Sequence, residues 1–376
     1  QGYLNGSPVG IDAYFGWSDL GTRGAGVRVV DIEYAFNANH QDLPAVTILG
    51  PTPQNPFGND HHGTAVLGQL GGIENGWGVT GIAPESSLYF AGAYTNDTWN
   101  VAGAILASLA TLEPGDVILI EQQWFGPNGG TNYVPVEWRL PEYNAIVTAV
   151  GNGIVVVEAA GNGGENLDAP IFSEGNNGHW PFLPENDSGA IIVGAGAAPS
   201  SFGGTQLDRS RLNFSCYGSR VNVQGWGQRV WTTGYGSAYS SEGPNLYYTA
   251  TFSGTSSASP IVAGACVLLQ AWYQDTYGEP IPPLVLREVL MQTGAPQQGA
   301  NQNIGPRPDV AAAAAALTHP AVCPDVTGDG QVNLADMNLV LANFGQQTDA
   351  GDTNGDGVVD LADLNAVLAA FGESCV

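Results

Sequence analysis

The apolar residues between positions 1 and 320 come in short unbroken runs: GVRVVDI, DVILIEQ, GIVVVEAAG and AIIVGAGA. A strand with one wet face alternates apolar and polar positions. These runs do not, so they predict strands covered on both faces. Between them lie stretches that read as helices: VAGAILASLATL, PEYNAIVTAVGNG and SASPIVAGACVLLQAWYQDTYG. The succession predicts an α/β domain with a mainly parallel sheet flanked by helices. Gly151 and Gly153 stand where a helical stretch gives way to a strand, as C-terminal capping requires. The segment IGPRPDVAAAAAALTHP predicts a last helix that closes a domain spanning 1–320.

From residue 323 the pattern changes. The stretch DVTGDGQVNLADMNLVLANFG (325–345) is echoed by DTNGDGVVDLADLNAVLAAFG (352–372), a tandem repeat with a period of 27. Each copy offers oxygen ligands at positions 1, 3, 5, 7, 9 and 12 of a calcium loop, with glycine at position 6 for the sharp turn. The first set is Asp325, Thr327, Asp329, the Gln331 carbonyl, Asn333 and Asp336, around Gly330. The second is Asp352, Asn354, Asp356, the Val358 carbonyl, Asp360 and Asp363, around Gly357. So many hard oxygens in a short loop select Ca²⁺ over softer metals. Residues 323–376 therefore read as a second domain, a small α-helical, EF-hand-like calcium-binding repeat.

Composition narrows the partners. The chain has 35 acidic residues against nine basic ones, all arginine, for a net charge of -26. Like-charge repulsion argues against nucleic acid and anionic membranes. No run of eighteen apolar residues occurs, so no membrane span is predicted. The four cysteines form no CxxC pair, which argues against structural zinc. An even count in an acidic, lysine-free chain fits two disulfides in a secreted protein. Cys323 and Cys375 bracket the repeat and predict one staple; Cys216–Cys266 is the remaining pair. The chain begins at Gln1 without a signal peptide and reads as a processed form.

Three residues far apart in sequence carry candidate chemistry. A serine hydrolase needs an oxygen nucleophile, an imidazole to take its proton and a carboxylate to hold the imidazole. Asp31 ends the strand VRVVD, His62 precedes the apolar stretch AVLGQLGG, and Ser256 lies where a glycine-containing loop meets a helix. Strand ends and helix starts are where an α/β sheet gathers functional groups.

The stretches VVDIE, HHGTAVLG, VTGIAPESSLY, EAAGNGG and SGTSSASP resemble, in that order, the motifs of subtilisin-like serine proteases over roughly residues 10–318. The resemblance implies a secreted endopeptidase acting on protein or peptide. It assigns Asp31 as the orienting carboxylate, His62 rather than His61 as the base, and Ser256 rather than Ser257 or Ser259 as the nucleophile. Asn162 and the Ser256 N–H would hold the oxyanion. The substrate-lining stretches match Glu121-Gln122-Gln123 and Glu158, Ala159, Ala160 and Gly161. A calcium site is implied at the side chains of Asp42 and Asn75 and the carbonyls of Trp77 and Val79. Two departures stand out. Ile32-Glu33 follow Asp31 where the family has Ser/Thr-Gly, and Glu121-Gln122-Gln123 replaces Ser-Leu-Gly. Carboxylates such as Glu121 and Glu158 are costly to bury unless paired or protonated. They are expected to shape the substrate pocket, by favouring a basic side chain or by sharing a proton.

The repeat resembles a type I dockerin, with Asp at loop position 12 followed by helices such as LVLANFG. That implies an attachment module with a cohesin-like or cell-surface partner. Positions 10 and 11 are Leu334-Ala335 and Leu361-Ala362, not the hydroxyl pair of cellulosomal members, so a cellulosome is not implied. Two other readings are weaker. The related acid peptidases, sedolisins, replace the histidine and the oxyanion asparagine, and His62 and Asn162 speak against them. An inactive adhesion scaffold working through its calcium repeats would not need the complete catalytic set.

Overall fold

The computed structural model describes residues 1–173, 178–299, 302–317, 323–353, 357–372 and 374–375. Its centre is a seven-stranded sheet of β1 (Arg28–Glu33), β2 (Thr47–Leu49), β3 (Ser87–Gly92), β4 (Val117–Ile120), β7 (Val155–Ala159), β8 (Ile191–Gly196) and β9 (Val223–Trp226). The spatial order is β9–β8–β7–β4–β1–β3–β2 and all six pairings are parallel. The unbroken apolar runs have the predicted cause, since β4 and β7–β9 are buried at every position. A short antiparallel hairpin, β5 (Gln123–Phe125) with β6 (Tyr133–Pro135), follows β4.

Strand periodicity sorts side chains between the two faces. Val30 and Ile32 of β1, Ile118 and Ile120 of β4, and Val156 of β7 pack with α2 (Val101–Ser108) and α3 (Leu140–Gly151), through Val101, Ile105, Ile146 and Ala149. Asp31 and Glu33 alternate with these residues and so take the other face. That face carries α1 (His61–Gly71) and the long α4 (Thr255–Tyr277), which pack against each other. Helix α4 is buried from Thr255 through Ala271, as its apolar sequence requires.

The chain divides into two compact units, Gln1–Ala316 and Leu317–Val376. In the second, α5 (Leu334–Asn343) and α6 (Leu361–Ala369) enclose a small core of Val332, Val340, Val359 and Val367. These four are two pairs separated by the repeat period. A disulfide joins Cys323 to Cys375, with Cα atoms 5.7 Å apart. The other predicted disulfide is absent: Cys216 and Cys266 are free, buried thiols. Cys266 faces the core from within α4. Cys216 packs in a separate cluster with Val134 and Ala160, its Sγ 3.1 Å from the Tyr133 carbonyl. Among the described residues, no helix is long and apolar enough to cross a membrane.

Candidate active site

Helix α1 brings its first turn to the C-terminal end of β1. The Thr64 hydroxyl donates to the Asp60 carbonyl at 2.7 Å and accepts the Asn37 N–H at 2.8 Å, which ties the helix start to the loop after β1. Gly63 permits the approach. A Cβ there would lie 2.4 Å from the Ala35 carbonyl oxygen and 2.9 Å from Glu33 Cγ. The result is a contact of 2.5 Å between His62 Nδ1 and Glu33 Oε2. Glu33 Oε1 accepts the Tyr34 N–H at 2.7 Å and the Gln122 amide at 3.3 Å.

Asp31, the expected orienting carboxylate, makes no hydrogen bond to His62. Asp31 and Glu33 share a face, but Asp31 lies two residues, about 6.6 Å, further down the strand. It is fully buried and neither carboxyl oxygen has a hydrogen-bond partner. Burial, with the nearby charges of Glu33 and Glu121, pushes its carboxyl well above the usual range. The signal for Glu33 was its place at the sheet's C-terminal rim, where functional groups collect.

With Nδ1 engaged, Nε2 is the ring nitrogen left for the cleft. Burial pulls the His62 pKa down. The charge and hydrogen bond of Glu33, with the charge of Glu121, outweigh it and leave the imidazole pushed up to about 9. The neighbouring His61 packs instead between Tyr235 and Tyr247, with ring centroids at 5.5 and 5.9 Å.

Gly254, at φ 108°, adopts a backbone that favours glycine and sets Thr255 and Ser256 in the first turn of α4, where N–H groups have no helical partner. The Thr255 N–H and hydroxyl both donate to Asn162 Oδ1, at 2.9 and 3.2 Å. Because a backbone N–H can only donate, this fixes the amide orientation and leaves Asn162 Nδ2 as the free donor. Glu33, His62, Glu121, Asn162 and Ser256 line one cleft of about 710 Å³, with an aromatic wall that includes Tyr34, Trp99, Trp124, Phe125 and Tyr133. Among the described residues His62 and Ser256 share no direct hydrogen bond in this resting site.

The substrate-lining expectations divide. Glu121, Gln122 and Gln123 line the cleft. Glu121 Oε1 accepts the Ser259 hydroxyl at 2.8 Å. Burial raises its pKa; His62 and Ser259 oppose this, Glu33 adds to it, Ser256 opposes it, and the carboxyl ends pushed up to about 8. Glu158 does not line the cleft. It pairs in register with Ile120, whose side chain faces α2 and α3, so Glu158 takes that side too. There it accepts the Glu137 N–H at 3.0 Å, and Glu137 in turn meets Arg220 at 3.3 Å and the Ser188 hydroxyl. Burial and the charge of Glu137 hold Glu158 well above the usual carboxyl range. Ala159 and Ala160 are buried, and Gly161 lies under the hairpin: a Cβ there would meet the Tyr133 carbonyl oxygen at 2.8 Å.

The implied metal groups also divide. Asp42 Oδ1 accepts the Asn75 amide at 2.8 Å and Oδ2 accepts the Val79 N–H at 2.7 Å; Asn75 Oδ1 accepts the Trp77 N–H at 3.2 Å. This is a hydrogen-bonded turn. These bonds gather Asp42, Asn75, Trp77 and Val79 into one turn. In the repeat, Asp325, Asp329 and Asp336 each bring a carboxylate oxygen within 4.8 Å of the others, which fits a hard divalent cation. Asp336 also closes a capping box with Asn333 at the start of α5. Asn354 and Asp356 of the second loop lie outside the described residues. Asp363 is buried and accepts the Asp360 N–H at 2.7 Å, as Asp336 accepts that of Asn333 at 2.8 Å.

A sequence model of the subtilase family matches residues 37–307, beginning just after β1. Subtilisin DY of Bacillus licheniformis is 30% identical over 256 residues, which cover 67% of this chain and 80% of that protein. Subtilisin E of Bacillus subtilis is 28% identical over 255 residues, and this chain spans only 56% of its length. Among solved structures, the prenylagaramide maturation protease PagA aligns with a TM-score of 0.58 at 20% identity, covering 81% of this chain and 98% of that one. A protease from Pseudoalteromonas arctica aligns with a TM-score of 0.58 at 22% identity, covering 82% and 94%. At such identities the structural likeness speaks to fold alone.

Proposed function

Because this chain belongs to the subtilase family and is a subtilisin-like serine endopeptidase, we propose that it cleaves peptide bonds with Ser256 as nucleophile, His62 as base and Glu33 as the carboxylate that holds His62. The observation that carries this reading is the 2.5 Å contact between Glu33 and His62 Nδ1, in a cleft also lined by Ser256 and Asn162. Glu33 keeps the proton on Nδ1, so Nε2 takes the Ser256 proton as Oγ attacks the peptide carbonyl. Asn162 Nδ2 and the Ser256 N–H receive the charge that develops on the carbonyl oxygen. His62 then returns its proton to the leaving amine, and water releases the acyl-enzyme by the same steps in reverse. Labelling by a fluorophosphonate and cleavage of a peptide library test this. Both are expected to vanish in Ser256→Ala, and persistence of either would refute the assignment.

The second unit is read as a calcium-stabilised attachment module. In its first loop Asp325, Asp329 and Asp336, with Thr327, Asn333 and the Gln331 carbonyl, would hold Ca²⁺, which would neutralise the clustered carboxylates. Each repeat also exposes the same three large apolar side chains, Leu334, Leu341 and Phe344 in one and Leu361, Leu368 and Phe371 in the other. Such unpaired apolar groups support a protein partner. The Cys323–Cys375 disulfide supports an oxidising, extracellular setting.

A further inference from the structure

A glutamate in the orienting position has one more rotatable bond than an aspartate, so its carboxylate needs restraint before it can hold an imidazole. The restraint comes from the strand beside it. Gln122 follows the end of β4, β1's neighbour, and is almost fully buried. Its Nε2 donates to Glu33 Oε1 at 3.3 Å, while its Oε1 accepts the Trp99 indole N–H at 3.1 Å. An indole N–H can only donate, so the Gln122 amide has one orientation, and its NH₂ must face Glu33. Trp99 is held in turn. Its ring centroid lies 4.6 Å from that of Trp124, and the Arg139 guanidinium sits over both rings, at 4.8 and 4.3 Å. Glu142 lies 3.4 Å from Arg139.

We propose that Gln122 is a positioning residue for catalysis: anchored by Trp99, it fixes the Glu33 carboxylate so that Oε2 meets His62 Nδ1. The inference rests on the catalytic reading of Glu33, His62 and Ser256 given above. It extends that reading to a side chain that touches neither the imidazole nor the nucleophile. It also gives the aromatic wall of the cleft a mechanical link to the base.

Two near-isosteric variants test it. Gln122→Met removes the donor to Glu33. Its kcat is expected to fall by about 10- to 100-fold, the range in which outer partners of a functional histidine act, with KM nearly unchanged. Gln122→Glu sets a second carboxyl against Glu33. Its kcat deficit is expected to deepen as pH rises and both carboxyls ionise, and to shrink as pH falls and the pair shares a proton. Wild-type kcat in both variants, a change in KM alone, or a loss that follows the melting temperature with an unaltered pH profile would overturn the proposal. His62→Ala and Ser256→Ala serve as controls. If they stay active, the underlying catalytic reading fails; if they are inactive while the Gln122 variants behave as wild type, only this inference falls.

Discussion

Glu33 Oε2 and His62 Nδ1 lie 2.5 Å apart at the C-terminal rim of the sheet, and Gly63 leaves the room for the contact. The same pair sets the tautomer of the base and raises its affinity for a proton. Most of the chemistry expected of this protein follows from it.

The first consequence concerns the two carboxyls of β1. Glu33→Gln keeps the shape but no longer enforces the tautomer, and kcat is expected to fall by about 10⁴-fold, the scale of losing an orienting carboxylate in a serine triad. Asp31→Asn is expected to leave turnover near wild type, because the carboxyl it replaces has no hydrogen-bond partner and burial disfavours its charged form. Steady-state kinetics on one peptide decide the matter. A larger loss for the Asp31 variant would reverse the assignment.

The second concerns pH. His62 acts as a base only when neutral, and it is pushed up to about 9, so kcat/KM is expected to climb with pH and level off above about 9. Glu121→Gln removes a charge that raises His62, so the limb should move to lower pH. Stability should run the other way. A folded-state pKa above the ordinary 6.5 contributes stability that is complete below 6.5 and lost as pH rises towards 9. Glu121, pushed up to about 8 from 4.5, favours its neutral form in the fold, so its ionisation also costs stability as pH rises. Melting curves between pH 6.5 and 9 should therefore show a falling Tm while activity grows; a rising Tm would contradict the assigned shifts.

The third concerns calcium. Asp329 is exposed and lies outside the Asn333–Asp336 capping box, so Asp329→Ala removes a ligand without removing the cap. Calorimetric titration of the full chain with Ca²⁺ should then show one site lost or weakened at least about tenfold, since affinity follows the count of charged ligands. Unchanged binding in Asp329→Ala would exclude the first loop.

The fourth concerns the thiols. Cys216 and Cys266 should react with a thiol reagent only after denaturation, giving two equivalents per chain without reductant. Burial pushes the Cys216 thiol up to about 11 and Cys266 higher still, which further suppresses the reactive thiolate. No reactive thiol in denaturant would mean that the pair is oxidised.

The parallel, doubly covered sheet and the outline of the repeat were legible in the residue pattern. Unbroken apolar runs such as VILI at 117–120 suit only strands covered on both faces, and a 27-residue echo suits only a duplicated unit. The residue pattern also put Asp31 and Glu33 on one face, because side chains alternate along a strand. Which of them meets His62 was settled by packing, because that depends on how far β1 extends towards α1. Packing likewise decided that Glu158 turns away from the cleft, through its register with Ile120 on the neighbouring strand. Cys266 was placed by the packing of α4, which buries it as a core thiol far in character from a staple. Periodicity along one strand is local and legible. Depth, register and the approach of a helix are relations between segments, and they are fixed only when those segments pack.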